Sequence, residues 1–428
     1  MPQIARVLWG LCRFRPSNCK PPFHPPSIHS FFTSNRPDPS ENMAPTKPKN
    51  KSQKDKAKGR ARGAAQPSNV NARELLNNAS AMLEVGDIEN AAKTAKSAYK
   101  AIGEDGKLAG AALSLLGHIY VELGEIEAAR EFFFAAVKTD EDGTLPEDVA
   151  GGPEKFLWLA QLSEEGGKDS VSWYDRGASA LRLQIQTLSD ELEKRPHGKE
   201  QQEVLITEKK RRLAAILCAV AEVYMTDLSW EEDAEQRCEA LITEAIMLAP
   251  ELADTWQTVA NVRISQTRVD EAKEALRRSM ALWELLEPED PNVPQFPTRV
   301  SLVRLLIEVG MEEKAIDVAE RLIIEDDQAV EVWYLSGYGR YLLGEKIKSE
   351  ELQAPEGETW QDIWRLSRKY LAQCLRTYAA IEYEDERLGA HAQELLDSIR
   401  GELGVIGAEE DEVWEDTDVE EDEDEEMS

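Results

Sequence analysis

The chain has 428 residues, with 50 Lys and Arg against 82 Asp and Glu and a net charge of −32. So acidic a body repels nucleic-acid phosphates and anionic lipid and steers basic polypeptides toward itself, so neither direct nucleic-acid binding nor a membrane partner is expected. Five cysteines (Cys12, Cys19, Cys218, Cys238, Cys374) without a CxxC pair argue against a complete disulfide framework, and no apolar run approaches the roughly 20 residues that cross a bilayer.

The charge is unevenly placed. Residues 1–42 carry +3, residues 43–70 carry +7 and residues 408–428 carry −14, which leaves −28 on the body between them. Residues 1–37 hold no acid, include Arg6, Arg13, Arg15, Lys20 and Arg36, and run through PPFHPP, a composition that resembles a mitochondrial presequence. Met43, however, opens MAPTKPKNKSQKDKAKGRARG, which reads as a natural start followed by a basic disordered arm. We take that second reading, in which 1–42 is an upstream gene-model extension and the chain works in cytoplasm and nucleus; a genuine presequence would place it in the mitochondrion. Between Lys47 and Arg62 eight basic residues stand among almost no apolar ones, a solvated run that can serve as a nuclear localisation patch for an import receptor. The plainer reading is a solubilising arm with no reader.

From Asn71 the apolar residues recur with a helical period, in pairs of short helices. The stretch 110–140 is the clearest: Leu113, Leu116, Gly117 and Tyr120 fall at i, i+3, i+4 and i+7, and Ala129, Phe133 and Ala136 do the same beyond Gly124. Gly117, Ala129 and Ala136 let two helix backbones approach closely, while Leu116, Tyr120 and Phe133 fill the space beside them. The spacing L-x2-L-G-x2-Y, then A-x3-F-x2-A, resembles the tetratricopeptide (TPR) signature, with Leu113 at the usual Trp position and Glu141 where Pro is common.

The pattern recurs on both sides. An earlier unit runs through Leu75, Ala79 and Met82, turns at Gly86-Asp87 and returns through Ala91, Ala95 and Ala98. A degenerate third unit passes Phe156, Leu159 and Ala160, turns at Gly166-Gly167 and enters a long helix over about 173–193. After a polar break at 195–198, Leu217, Ala221 and Tyr224 pair with Cys238, Ile242 and Ala245 across an acidic loop around Trp230. Pro250 and Trp256 mark a second strong match, continued by Val259, Ala260, Ala272 and Leu276. A sixth unit follows (Leu302, Val303, Leu306, Gly310, Ala315, Ala319), then a seventh opening with Trp333, Gly337 and Gly344 and resuming at Trp360 after an insertion over 353–359. A last helix over 385–403 would cap the stack. The expected fold is therefore all-α: a right-handed TPR superhelix, a solenoid of about six to seven helix hairpins over 71–407 plus the C-terminal capping helix, with disordered termini at 1–70 and 408–428.

Chemistry-bearing patterns are sparse. The five histidines (His24, His29, His118, His197, His391) are scattered, and none sits at a metal-ligand spacing. Gly151-Gly152-Pro153 lacks the Lys of a phosphate loop. No catalytic residue, metal or cofactor is expected, and the chain is not read as an enzyme; His118 reads as a polar residue on a groove wall.

The TPR resemblance implies that the first helix of each hairpin lines a concave surface, with its first, fourth, eighth and eleventh positions inward. Those positions hold Glu154, Leu157, Gln161 and Glu164; Glu222 and Met225; Asp254, Gln257, Asn261 and Ile264; Val300, Arg304 and Ile307; and Glu331, Tyr334, Tyr338 and Tyr341, with Glu122 and Glu308 beside them. The candidate partner-binding residues are Glu122, Glu154, Glu164, Glu222, Asp254, Asn261, Arg304, Glu308, Glu331, Tyr334 and Tyr338. Carboxylates would pair with Lys or Arg of a guest, and tyrosines would stack on guanidinium groups or aliphatic stems. TPR domains that hold acidic chaperone tails look built around a basic clamp, but the fourth positions here are Leu76, Ser114, Leu157, Cys218, Gln257, Val300 and Tyr334, with no Lys among them.

A basic opening MAPTKPKNKSQKDKAK, an acidic TPR body and the closing VWEDTDVEEDEDEE together resemble the fungal TPR-type assembly chaperones dedicated to the large-subunit ribosomal protein L-four. The resemblance implies capture of that newly made basic protein on the concave surface, shielding of it, and escort into the nucleus for assembly of the large ribosomal subunit. The alternative is a general TPR interaction scaffold within a multi-subunit complex.

Overall fold

The computed structural model describes residues 69–194, 199–354 and 357–404. The expected presequence, the basic arm as far as residue 68, the break at 195–198 and the acidic tail lie outside the described residues. Those residues form sixteen helices and no strand, in two compact units that meet in sequence at Pro250, the residue expected to end a repeat helix.

The first unit holds α1 (Asn69–Glu84), α2 (Ile88–Ile102), α3 (Ala109–Glu122), α4 (Ile126–Thr139), the single-turn α5 (Glu147–Ala150), α6 (Glu154–Gln161), α7 (Gly167–Lys194), α8 (Glu200–Met225) and α9 (Ala234–Leu248). Its longer helices pack as hairpins against their neighbours in sequence, and the single-turn α5 packs on α3. In α3 and α4 the cause is plain. Gly124, at φ 76°, takes a left-handed turn that a residue with a Cβ rarely adopts, and this reverses the chain. Leu116, Ala129 and Ala136 are then wholly buried. A Cβ on Gly117 would stand 2.7 Å from the Phe133 ring, so only glycine admits that ring at this depth. Phe133 in turn stacks on Trp158 of α6, with centroids 6.0 Å apart and planes at 9°, which carries one hairpin's core into the next.

The long helix α7 begins at Gly167, six residues before the expected start. Its first turn is polar, so the apolar period does not announce it, but Ser163 Oγ accepts from Gly166 N at 3.1 Å and Ser170 Oγ donates to Ala160 O at 2.8 Å, which fixes the start. At 28 and 26 residues, α7, which closes one hairpin, and α8, which opens the next, are each longer than an ordinary repeat helix and pack on each other. Lys209 ties them together, donating to Gln184 Oε1 and Glu147 Oε1, each at 2.9 Å.

The second unit holds α10 (Ala253–Ser265), α11 (Val269–Ala281), α12 (Phe296–Glu308), α13 (Glu312–Glu325), α14 (Val330–Lys348), α15 (Trp360–Ala380) and α16 (Glu386–Leu403). Beyond the insertion, α15 starts on a capping box: Thr359 Oγ1 accepts from Asp362 N at 3.3 Å and Asp362 Oδ2 accepts from Thr359 N at 3.0 Å. Ser367 Oγ donates to Gly337 O at 2.7 Å, a contact of α15 on α14 that the glycine keeps close. The last helix, α16, packs on both α14 and α15, as expected of a cap, and starts at Asp385, whose Oδ1 accepts from Arg387 N and Leu388 N. The described residues thus give seven hairpins, the short α5 and one closing helix. No helix among them is long and apolar enough to cross a membrane.

Candidate functional site

All the candidate residues except Glu164, which falls in the connection between α6 and α7, sit on first helices of hairpins, and they divide into three groups by what they touch. In the first unit, Glu154 opens α6 and meets Arg212 of α8 at 3.1 Å; burial pushes its carboxyl up, and Arg212 opposes that shift. Glu164 is exposed and pairs with Arg130. Glu222 is half-buried on α8, and its charge adds to the burial that pushes the Tyr174 hydroxyl up to about 12. Glu122, the last residue of α3, is half-buried with no ion pair among the described residues.

In the second unit, Arg304 of α12 and Glu331 of α14 are brought together: Arg304 Nε donates to Glu331 Oε1 at 2.6 Å, and Nη2 reaches the same oxygen. Asn261 is half-buried on α10. Asp254 and Glu308 stand apart, because neither carboxylate has an ion-pair partner or a hydrogen bond to another side chain among the described residues. Glu308, half-buried at the end of α12, is pushed up by burial alone. Asp254 presents area to solvent in the first turn of α10, where a helix N-terminus favours the anion, yet the protein around it withholds enough water to push its carboxyl up to about 6. Both are anionic positions lacking a local cation.

The tyrosines form the third group. Tyr334 and Tyr338 are 2 % and 5 % exposed, stack on each other at 5.8 Å, and are covered by the His391 ring of α16. Tyr334 Oη lies 2.7 Å from His391 Nδ1. In this arrangement neither offers a face to a guest; their rings hold α16 in place. Gln257, Val300 and Ile307, also expected inward, are buried as well. His118 packs its ring 5.3 Å from Trp158. Sequence reading passed over His391 as a covering residue and Lys209 and Arg212 as a basic pair facing Glu147 and Glu154; the run KKRR at 209–212, set in an acidic body, was the available signal.

The remaining reactive groups are quiet. Cys218, Cys238 and Cys374 are buried, and burial pushes Cys238 up to about 11 and Cys374 up to about 12, so neither of the last two is a nucleophile at neutral pH. What the surface offers is charge: carboxylates, some paired internally and others, Glu122, Asp254 and Glu308 among them, with no ion pair among the described residues, suited to Lys or Arg side chains of a polypeptide.

The tetratricopeptide repeat family model matches residues 111–142, the stretch that carries α3 and α4. Over 344 residues the chain is 43 % identical to a protein of Emericella nidulans named "probable assembly chaperone of rpl4", covering 78 % of this chain and 83 % of that one. Over 338 residues it is 34 % identical to the protein of the same name in Schizosaccharomyces pombe, covering 77 % and 91 %. A solved structure of an assembly chaperone of RpL4 (Acl4) superposes with a TM-score of 0.63 at 68 % identity, over 66 % of this chain and 99 % of that one.

Proposed function

The chain belongs to the family of the assembly chaperones of rpl4, and from that membership we propose that it is a dedicated chaperone of the newly made ribosomal protein L4, which it binds, shields and escorts to the nucleus for assembly of the large subunit. The observation that carries the binding chemistry is the pair of carboxylates without local cations, Asp254 and Glu308, on the first helices of a body with net charge −28. A ribosomal protein is rich in Lys and Arg because it must neutralise RNA phosphates; an acidic protein surface offers the same neutralisation before RNA is available. Carboxylates held short of water gain most from such a partner, since part of their desolvation cost is already met within the fold.

The basic run 47–62 supports recognition by a nuclear import receptor and hence residence in cytoplasm and nucleus. Affinity purification from cells followed by mass spectrometry tests the whole reading. One dominant ribosomal protein, L4, is the expected result; a stable set of many subunits would make the chain a general scaffold instead.

A further inference from the structure

Arg304 and Glu331 both occupy positions from which a guest could be held, and the structure closes them on each other. Arg304 reaches from α12 to α14 and sets two nitrogens on one Glu331 oxygen, Nε at 2.6 Å and Nη2 closer still. The side chains are 33 % and 25 % exposed, so the pair is partly shielded from water yet reachable. One turn along α12, Glu308 has no ion pair among the described residues, although it lies at i+4 from Arg304. Arg preceding Glu at that spacing is the weaker orientation of a helix pair, so the guanidinium is spent on Glu331 and Glu308 is left open.

We propose that Arg304 is a resident counter-ion, a built-in competitor that a basic guest must displace before it can use Glu331. The inference rests on the chaperone reading and specifies how that surface limits its own affinity. A guest Lys or Arg that approaches Glu331 meets a carboxylate already neutralised. Displacing Arg304 gains one charge contact and exposes one cation to the basic guest, so the net gain at this position is small. Glu331 therefore contributes little holding energy in the unaltered chain, and the anchoring falls to carboxylates with no internal cation, Asp254 and Glu308. For a protein that must hand its cargo on, such self-competition raises the dissociation rate without removing the acidic surface that speeds association.

Neutralising each partner in turn gives a test that a merely structural ion pair would not pass. The full chain is titrated calorimetrically with purified ribosomal protein L4, at about 0.1 M salt, where charge contacts are only partly screened, and again near 1 M. Arg304→Gln frees Glu331 and is expected to bind L4 about five- to tenfold tighter at low salt, with the gain lost at high salt. Glu331→Gln leaves Arg304 as a bare cation and is expected to weaken binding by a comparable factor. The double variant restores a neutral pair and is expected to match the unaltered chain. If Arg304→Gln loses its circular dichroism signal, Glu331→Gln below the unaltered chain and the double variant equal to it give the same answer. Single variants that both weaken binding, or that leave it unmoved while the unaltered chain binds, overturn the inference alone. Failure of the unaltered chain to bind L4 overturns the chaperone reading and this inference with it.

Discussion

Lys155 Nζ lies 2.7 Å from Asp140 Oδ2, with the two side chains 0 % and 3 % exposed, at the start of α6. The other carboxylate oxygen of Asp140 accepts from Thr144 N at 3.0 Å and Leu145 N at 3.3 Å, and Lys155 Nζ also reaches Ala150 O at 3.4 Å, so one ion pair fastens the whole connection from α4 to α6. Burial pulls the Lys155 ammonium below its usual range, and Asp140 works against that pull. Lys155→Met is expected to cost about 3–5 kcal/mol, because it strands Asp140 as a buried uncompensated charge. Replacing both, as Asp140→Asn with Lys155→Met, is expected to recover much of that loss. Urea midpoints of the two variants, compared at constant slope, check the order.

Gly117 is the position where the fold tolerates least. Gly117→Val would drive a branched side chain into the Phe133 ring, already 2.7 Å from where a Cβ would stand. The expected loss is about 1–3 kcal/mol, the usual range for overpacking a full core. Gly117→Val with Phe133→Leu should recover part of it if the clash, rather than helix propensity, is the cause. Thermal melts of the three proteins separate these terms.

The hairpins were legible because small and large residues recur at helical spacing, and that spacing is itself the packing rule: Gly117, Ala129 and Ala136 are close-approach positions in sequence and in structure. The start of α7 was not, since a polar first turn has no apolar period. At the candidate site, sequence position gave the helices but not the company each side chain keeps. Tyr334 and Tyr338 read as inward-facing because the repeat rule assumes an open groove, whereas α16 folds back over them, a contact between residues far apart in the chain. Arg304 with Glu331 and Lys155 with Asp140 were hidden for the same reason: which carboxylate has a cation depends on neighbours that spacing along one helix does not list.

His391 should make the closing helix acid-sensitive. The buried Tyr334 hydroxyl, held protonated, lies 2.7 Å from His391 Nδ1, and burial pulls the His391 pKa below its usual value despite Glu394, so the neutral imidazole is the favoured form in this contact. A depressed histidine pKa means that the unfolded chain takes up the proton first, so this stabilisation is full above the unfolded pKa of about 6.5 and is lost as pH falls through the folded value. Amide hydrogen exchange in α16, normalised for intrinsic rate, is expected to speed up as pH falls below about 6.5, and His391→Phe should flatten that dependence.

Asp254 gives a pH dependence of the opposite sign for stability and a distinct one for binding. Its folded pKa, pushed up to about 6, exceeds the unfolded value, so the folded chain holds the proton more tightly. Its contribution to stability is fully present below the unfolded pKa and is lost as pH rises through about 6. A basic guest binds the ionised form, so affinity for L4 should fall as pH drops through that same value. Calorimetric titration on either side of it checks this, with Asp254→Asn expected to bind more weakly at neutral pH and to show a flatter profile. A profile unchanged by Asp254→Asn would mean that the guest does not sense this carboxylate.

Glu308 and Glu402 provide the sharpest comparison of where the guest is held. Both are glutamates near helix ends, but Glu308 closes α12 beside Arg304 with no ion pair of its own among the described residues, while Glu402 lies near the end of α16, exposed and 3.1 Å from Lys348. Burial already pushes the Glu308 carboxyl up, so its charge is a burden to the free protein and its removal should not cost the fold much. Glu308→Arg replaces attraction to a basic guest by repulsion. A charge-assisted contact is worth about 1.5–3 kcal/mol, so L4 binding is expected to fall by tenfold or more before the repulsion is counted. Glu402→Arg changes the net charge by the same amount, which controls for long-range steering, and is expected to leave binding within about twofold, as most surface substitutions leave stability within about 0.5 kcal/mol. Pull-down of L4 with circular dichroism as the folding control decides between them. Equal binding by the two variants would mean that the guest sits elsewhere than on the first helices of the second unit, and that the acidic body acts only through its total charge.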